Sequence, residues 1–241
     1  QTGTGKTASF VLPLIDLLMQ SRARARLPRV LVLVPTRELA YQVSDSFERL
    51  SQGHKLKWVV LIGGESMIDQ EKKISQGADI VIATPGRLLD IIERGKLLMT
   101  GIQHVVIDEA DHMLDLGFIP DVNKILRHVP PKHQTLFFSA TLSPDIQKLS
   151  QEYLKSPKEI RISPASSTSH TIEQFCIQAK IKDKRSILRT LIQEKSIQTA
   201  IIFCNRKSDV SLLTASLKRH GFKAGMMHGD LLQTERIKTL E

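Results

Sequence analysis

Cysteine is almost absent from this 241-residue chain. There are two, Cys176 and Cys204, far apart and each inside an apolar, strand-like run. That usage points to buried free thiols in a reducing compartment rather than a disulfide framework, and no Cys/His spacing suggests zinc. No apolar stretch approaches the ~20 residues that a membrane span needs. No signal peptide is visible, and no repeat of about 20–50 residues marks a solenoid. The chain also lacks an initiator methionine: it opens on QTGTGKT, with no strand before it.

What is present is ordinary for a globular protein and rich in positive charge. Hydrophobic residues make up 41% and charged residues 24%, enough for one large domain or two medium ones with a substantial core. Net charge is +9, of which residues 1–163 carry +3 and residues 164–241 carry +6. A surplus of this sign suits a polyanion such as nucleic acid or an anionic membrane, and equally a basic surface that binds nothing.

Short β-branched and apolar runs alternate with amphipathic segments. VLVLVP (30–35), WVVLIGG (58–64), DIVIATP (79–85), HVVIDEA (104–110) and TLFFSAT (135–141) read as strands. RELAYQVSDSFERL (37–50) and GRLLDIIERG (86–95) read as two of the helices between them. Near-continuous apolar strands separated by helices predict an α/β fold with a parallel sheet covered on both faces. The small, polar stretch 163–171 reads as a linker. The alternation then restarts with IEQFCIQAKI (172–181), TAIIFC (199–204), the helix SDVSLLTASLKRHG (208–221) and KAGMMHG (223–229). The expected organisation is therefore 1–162, a linker, and 172–241, two α/β domains in tandem with the second incomplete. Both ends fall in mid-element, so the chain is expected to be a piece of a longer protein.

Two stretches carry chemistry on their own terms. In QTGTGKT (Gln1, Thr2, Gly3, Thr4, Gly5, Lys6, Thr7), the glycines allow a tight turn whose N–H groups face phosphate oxygens. Lys6 can reach the β- and γ-phosphates, and the Thr7 hydroxyl can ligate Mg2+. The following helix adds its positive dipole end. DEAD (108–111) follows an apolar strand: Asp108 can hold Mg2+, and Glu109 can polarise an attacking water as general base. Asp111 is expected to join interactions between sites rather than do chemistry. Taken alone, such acids are more often a solvated loop; their place after a phosphate loop in an α/β alternation reverses that in favour of the catalytic reading.

In order, the chain shows QTGTGKT, PTRELA (35–40), GG (63–64), TPGR (84–87), DEAD (108–111), SAT (139–141), IIFCNRK (201–207) and HGDLLQTER (228–236). Across essentially its whole length it resembles the DEAD-box ATP-dependent RNA helicases of bacterial type. The resemblance implies two RecA-like domains, ATP with Mg2+ as cofactors, RNA as partner without much sequence preference, no membrane, and a cytoplasmic location. It implies that Lys6, Thr7, Asp108 and Glu109 bind Mg-ATP and drive hydrolysis, and that Ser139 and Thr141 couple this to strand separation. It places Pro35, Thr36, Arg37, Gly64, Thr84, Pro85, Gly86 and Arg87 on loops gripping the RNA backbone, with Gln233 and Arg236 as further contacts.

The same residues admit plainer readings. Thr36 can be the N-cap of the helix starting at Arg37, Pro85 the end of a strand, and Gly86 turn punctuation. Gln233 and Arg236 share one helical face, which can equally be a solvated one. SRARARLP (21–28) reads as an exposed connector, and His228 as structural. His112 stands where relatives often carry Arg, and Arg206–Lys207 where many carry Thr-Arg or Thr-Lys. Relatives read adenine upstream of Gln1 and supply an arginine finger downstream of Glu241, so residues 1–241 alone are expected to be nearly inactive, a finger being worth ~10³–10⁵ in rate. An ATP-dependent RNA clamp and a DNA translocase with the same core remain the alternatives. No residue here reads a 2′-hydroxyl by its own chemistry.

Overall fold

The computed structural model describes residues 5–20, 27–161, 172–180, 183–194 and 197–240. The chain divides into two compact units, Gln1–Ser166 and Ser167–Glu241. The division falls inside the expected linker, whose residues lie outside the described ones.

The first unit runs α1 (Lys6–Gln20), β1 (Val30–Leu33), α2 (Arg37–Leu50), β2 (Trp58–Leu61), α3 (Met67–Ser75), β3 (Ile80–Ala83) and α4 (Pro85–Glu93). It continues through β4 (His104–Ile107), α5 (Ala110–Asp115), α6 (Ile119–Leu126), β5 (Gln134–Phe137) and α7 (Pro144–Tyr153). All five apolar runs form strands, paired parallel in the order β2-β3-β1-β4-β5. Register is what matters for function. Leu33 pairs with Ala83 and Ile107, Leu61 with Ala83, and Ile107 with Phe137, so all five strands end level. Every loop leaving a strand therefore opens on one edge, where open α/β sheets bind ligands.

Alternation along each strand builds two cores. Val30, Val32 and Val34 point to one face with Ile80, Ile82 and Val106, against α1 and α2 through Phe10, Leu14, Val43 and Phe47. Leu31 and Leu33 point to the other face with Val81, Val105 and Ile107, against α4, α5, α6 and α7 through Leu88, Ile91, Met113, Val122 and Ile146. The strand β1 is buried along its whole length, which is why its sequence is continuously apolar. At the opposite, amino-terminal edge Arg29 is 5% exposed. It donates to the Leu18 carbonyl of α1 (2.9 Å) and pairs with Asp79 (2.6 Å), whose other oxygen accepts the Lys57 N–H. One guanidinium thus ties the end of α1 to the start of β3.

The second unit contains α8 (Lys184–Glu194), α9 (Lys207–Arg219) and α10 (Gln233–Leu240). The helix expected over 208–221 is α9. The apolar runs at 172–180, 199–204 and 223–229 carry no ladder pairing, and Phe175, Ile201 and Phe203 are 84, 82 and 92% exposed. This corrects the expectation for the cysteines. Both are free, but Cys176 is exposed and Cys204 only half-buried. A strand residue is buried by its neighbouring strands and a covering helix, and these runs have no paired neighbour. Among the described residues no helix is long and apolar enough to cross a membrane.

Candidate functional site

The phosphate loop is described from Gly5 onward, and Gln1–Thr4 lie outside the described residues. Gly5 has φ +78°, a left-handed turn that suits glycine, and α1 begins at the next residue. The Gly5 carbonyl accepts the Ser9 N–H (2.9 Å), while the Ser9 hydroxyl donates to the Lys6 carbonyl. Lys6 and Thr7 therefore sit in the first turn of α1, whose buried stripe (Phe10, Val11, Leu14, Ile15, Leu18) fixes its position on the sheet.

Asp108 is the first residue beyond β4. Its N–H bonds the Leu33 carbonyl (3.0 Å), and one carboxylate oxygen accepts the Glu109 N–H (3.0 Å). The residue is 4% exposed, and burial pushes its carboxyl up to about 6; the bond from the Glu109 N–H and the positive charge of Lys6 work against that rise. Lys6 and Asp108, 102 residues apart in sequence, thus share one electrostatic environment. Glu109 follows at φ 50°, ψ 52°, a left-handed conformation that costs a non-glycine residue of order 1 kcal/mol and occurs where function holds it. His112 Nδ1 lies 3.4 Å from Glu109 Oε2, which gives this departure from the family pattern a contact.

The last residue of DEAD reaches the end of β5. Asp111 Oδ2 accepts both the backbone N–H and the hydroxyl of Thr141, at 2.9 Å each. The Ser139 hydroxyl donates to the Thr141 carbonyl (2.8 Å), and the Ala110 N–H bonds the Phe138 carbonyl (3.0 Å). Burial acts to raise the Asp111 carboxyl, but the bonds from Thr141 and the His112 N–H hold it below the usual carboxylate range. The DEAD and SAT stretches form one hydrogen-bonded unit through Asp111.

Among the described residues no cluster of three or more His, Cys, Asp or Glu could hold a metal unaided. Mg2+ does not require one, because it keeps several waters and is bound through one or two carboxylates plus substrate phosphates. A buried carboxylate whose ionisation burial opposes, with a threonine hydroxyl beside the phosphate loop, is a donor set of that kind.

The third group lies along the ends of β1, β2 and β3. Thr36 caps α2, its hydroxyl accepting the Leu39 N–H (3.2 Å). Pro35 and Thr84 are buried, and Pro85 occupies the first turn of α4 with Gly86 next to it. The plain reading of Thr36 as a cap thus holds in the structure, alongside any role in binding, whereas Pro85 opens α4 instead of ending a strand, because β3 already stops at Ala83. The Arg37 guanidinium lies over the turn at Gly63 and Gly64. A Cβ on Gly64, which has φ +82°, would fall 2.3 Å from Arg37 Nη1. Arg87 donates from both terminal nitrogens to the Glu65 carbonyl (3.2 Å each).

Three residues that sequence reasoning passed over hold this turn. The Gln70 amide, 1% exposed, accepts the Ile62 N–H (3.2 Å) and donates to the Ile62 carbonyl (3.0 Å), as a neighbouring strand would. Tyr41 donates to the carboxylate of Glu65. A buried Gln on a helix was a signal available to pattern reading only in retrospect; the Tyr41–Glu65 pair, 24 residues apart, leaves none.

In the second unit Gln233 and Arg236 both fall on α10, with Arg236 half-buried. Lys207 pairs with Asp230 (2.5 Å), joining the IIFCNRK and HGD stretches. His228 is half-buried beside this pair.

Sequence profiles match in two places: DEAD/DEAH box helicase over residues 1–149, and helicase conserved C-terminal domain over residues 183–241. The chain is 38% identical over 240 residues to the ATP-dependent RNA helicase DbpA of Bacillus subtilis, covering all of this chain and 50% of that protein. Among solved structures, a DEAD box protein from Methanococcus jannaschii is 38% identical with a TM-score of 0.62, and 63% of it is covered. A Saccharomyces cerevisiae Dbp5 variant bound to RNA and ADP BeF3 is 27% identical with a TM-score of 0.85, and 60% of it is covered. Both matches cover all of this chain, which spans about half to two thirds of the proteins it resembles.

Proposed function

The chain belongs to the DEAD/DEAH box helicase family, and on that premise we propose that it is the core of an ATP-dependent RNA helicase, coupling ATP binding and hydrolysis to RNA binding and local duplex opening. The observation that supports this most is the hydrogen-bonded DEAD–SAT unit, with the positive charge of Lys6 felt at Asp108. It joins a nucleotide site to a loop that can report its state.

In this reading the backbone N–H groups of residues 1–7 and the dipole of α1 receive the phosphates, with Lys6 at the β- and γ-phosphates. Thr7 and Asp108 would hold Mg2+, which when bound offsets the charge of the phosphate oxygens. Glu109, set in its left-handed conformation beside His112, takes the proton from the attacking water. Thr141 and Asp111 transmit the occupancy of the site to the SAT loop. Pro35, Thr36, Arg37, Gly64, Thr84, Pro85, Gly86 and Arg87 offer hydroxyls, backbone N–H groups and guanidinium forks. These suit phosphate and sugar, so binding is largely independent of sequence. Gln233 and Arg236 extend the contacts from the second unit. Two domains, 1–162 and 172–241 joined by 163–171, act together in the cytoplasm, and residues 1–241 alone turn over ATP poorly.

ATP turnover by the protein at its relatives' full span tests this, measured without nucleic acid, with single-stranded RNA and with single-stranded DNA. Stimulation by RNA alone that disappears in Glu109→Gln is the expected result. Equal stimulation by DNA, or indifference to both, would overturn the substrate. A strand-separation assay decides between helicase and clamp, since a clamp binds duplex ends and releases no strand.

A further inference from the structure

Glu65 takes no part in the proposed chemistry, yet the grip closes on it. The turn from β2 into α3, residues 62–66, is held by side chains of α2, α3 and α4. Ile62 is held by Gln70 of α3, Gly63 and Gly64 lie beneath Arg37 of α2, and the Glu65 carbonyl takes both terminal nitrogens of Arg87 from α4. Ser66 caps α3 by accepting the Asp69 N–H (3.3 Å). The remaining hold is the Tyr41 hydroxyl on the Glu65 carboxylate, which ties α2 to the turn independently of Arg37. We propose that the Tyr41–Glu65 pair is a positioning device for nucleic-acid binding, fixing the 62–66 turn so that Arg37 and Arg87 are presented together on the carboxyl edge of the sheet.

The inference rests on the RNA-binding reading above, and it is carried by what the pair fastens. Arg87 grips a backbone carbonyl, so its direction follows wherever the turn goes. Arg37 can lie over the turn only because Gly64 has no Cβ, so its direction depends on the same backbone. One device therefore sets the direction of both cations. Burial and the neighbouring carboxylate both raise the Tyr41 hydroxyl above its ordinary value, so it remains a donor across the neutral range.

The opposing consideration supplies the test. A carboxylate among arginines on a phosphate-binding edge weakens polyanion binding by charge alone, so removing it should strengthen binding if charge is all it contributes. Positioning predicts the reverse sign for alanine and not for glutamine, whose amide oxygen still accepts from Tyr41. The measurements are binding of a labelled single-stranded RNA to the protein at its relatives' full span and to its variants, and hydrogen exchange of the 62–66 amides. Glu65→Ala and Tyr41→Phe should each weaken RNA binding about five- to tenfold and speed exchange, as loss of a hydrogen bond to a charged group would. Glu65→Gln should retain or improve binding with exchange unchanged. Tightening by both Glu65→Ala and Glu65→Gln would overturn the proposal, as would faster exchange with RNA affinity unaltered. Tyr41→Phe, which deletes one oxygen, carries the test if Glu65→Ala does not fold. Absence of RNA binding by the unsubstituted full-span protein would overturn the RNA reading and this inference with it.

Discussion

Thr141 donates both its backbone N–H and its hydroxyl to a single carboxylate oxygen of Asp111, each at 2.9 Å, across 30 residues of sequence. The two residues lie beyond adjacent strands, β4 and β5, that end in register at Ile107 and Phe137. The bond is therefore a property of the sheet edge rather than of either loop. Asp111→Ala should leave ATP-analogue binding within about twofold and lower RNA-stimulated turnover about tenfold, the scale of a lost charge-assisted hydrogen bond. Nucleotide affinity and turnover measured on the same preparation separate the two effects. The Asp111 carboxyl is held below its ordinary value, so its stabilising contribution is fully present above the usual carboxylate range. It is lost only as pH falls below that range.

Asp108 carries the opposite sign. Its carboxyl sits at about 6 in the folded chain against 3.8 in the ordinary case, so the folded state holds the proton more tightly. Stability from this group is full below about pH 4 and declines as pH rises to about 6. Asp108→Asn should therefore stabilise the nucleotide-free, metal-free chain at pH 7–8 by up to about 2–3 kcal/mol while abolishing turnover. The gain should vanish near pH 4. Thermal unfolding of both proteins across pH 4–8 in chelator is the measurement, and a gain independent of pH would contradict the burial account.

Gly64→Ala combines two costs. The backbone is left-handed at φ +82°, and the new methyl would meet Arg37 Nη1 at 2.3 Å. The first costs about 1–2 kcal/mol of stability. The second displaces the end of a flexible side chain, so the sharper expected effect is weaker RNA binding, with ATP affinity retained. Gly53→Ala is the comparison, since its backbone is equally left-handed at φ +87° and a Cβ there meets nothing within 4 Å.

The Arg29–Asp79 pair stands at the edge of the sheet away from the chemistry, with side chains only 6 and 15% exposed. Removing one partner leaves the other charge buried, so Arg29→Met or Asp79→Asn should cost about 3 kcal/mol or more. Chemical denaturation of each single variant and of the double variant measures the coupling. Losses that simply add would show that the pair does not act as a unit.

Much of the first unit is legible without coordinates because its elements are written in local periodicity. The helix expected over 37–50 is α2, Arg37–Leu50, with Thr36 as its cap. Every apolar run in 30–141 became a strand, though each ladder is shorter than its run: VLVLVP pairs only over Val30–Leu33. In the second unit the same kind of pattern was less informative. TAIIFC has the composition of a strand but no ladder partner, and Cys204, expected inside, is only half-buried. An apolar run specifies a capacity for pairing, and burial requires the neighbour as well.

By itself the sequence determined the elements, the inward faces of the strands and helices, and the order of the motif stretches. A side-chain period of two or 3.6 depends only on residues close in the chain. Only the tertiary structure decided which loops became neighbours. The strand order β2-β3-β1-β4-β5 brought Lys6 to Asp108, Asp111 to Thr141, and Tyr41 and Arg87 to Glu65. Those partners are 22 to 102 residues apart. Their meeting depends on how the crossovers stack strands and level their ends, a property of the packed sheet that no local stretch encodes.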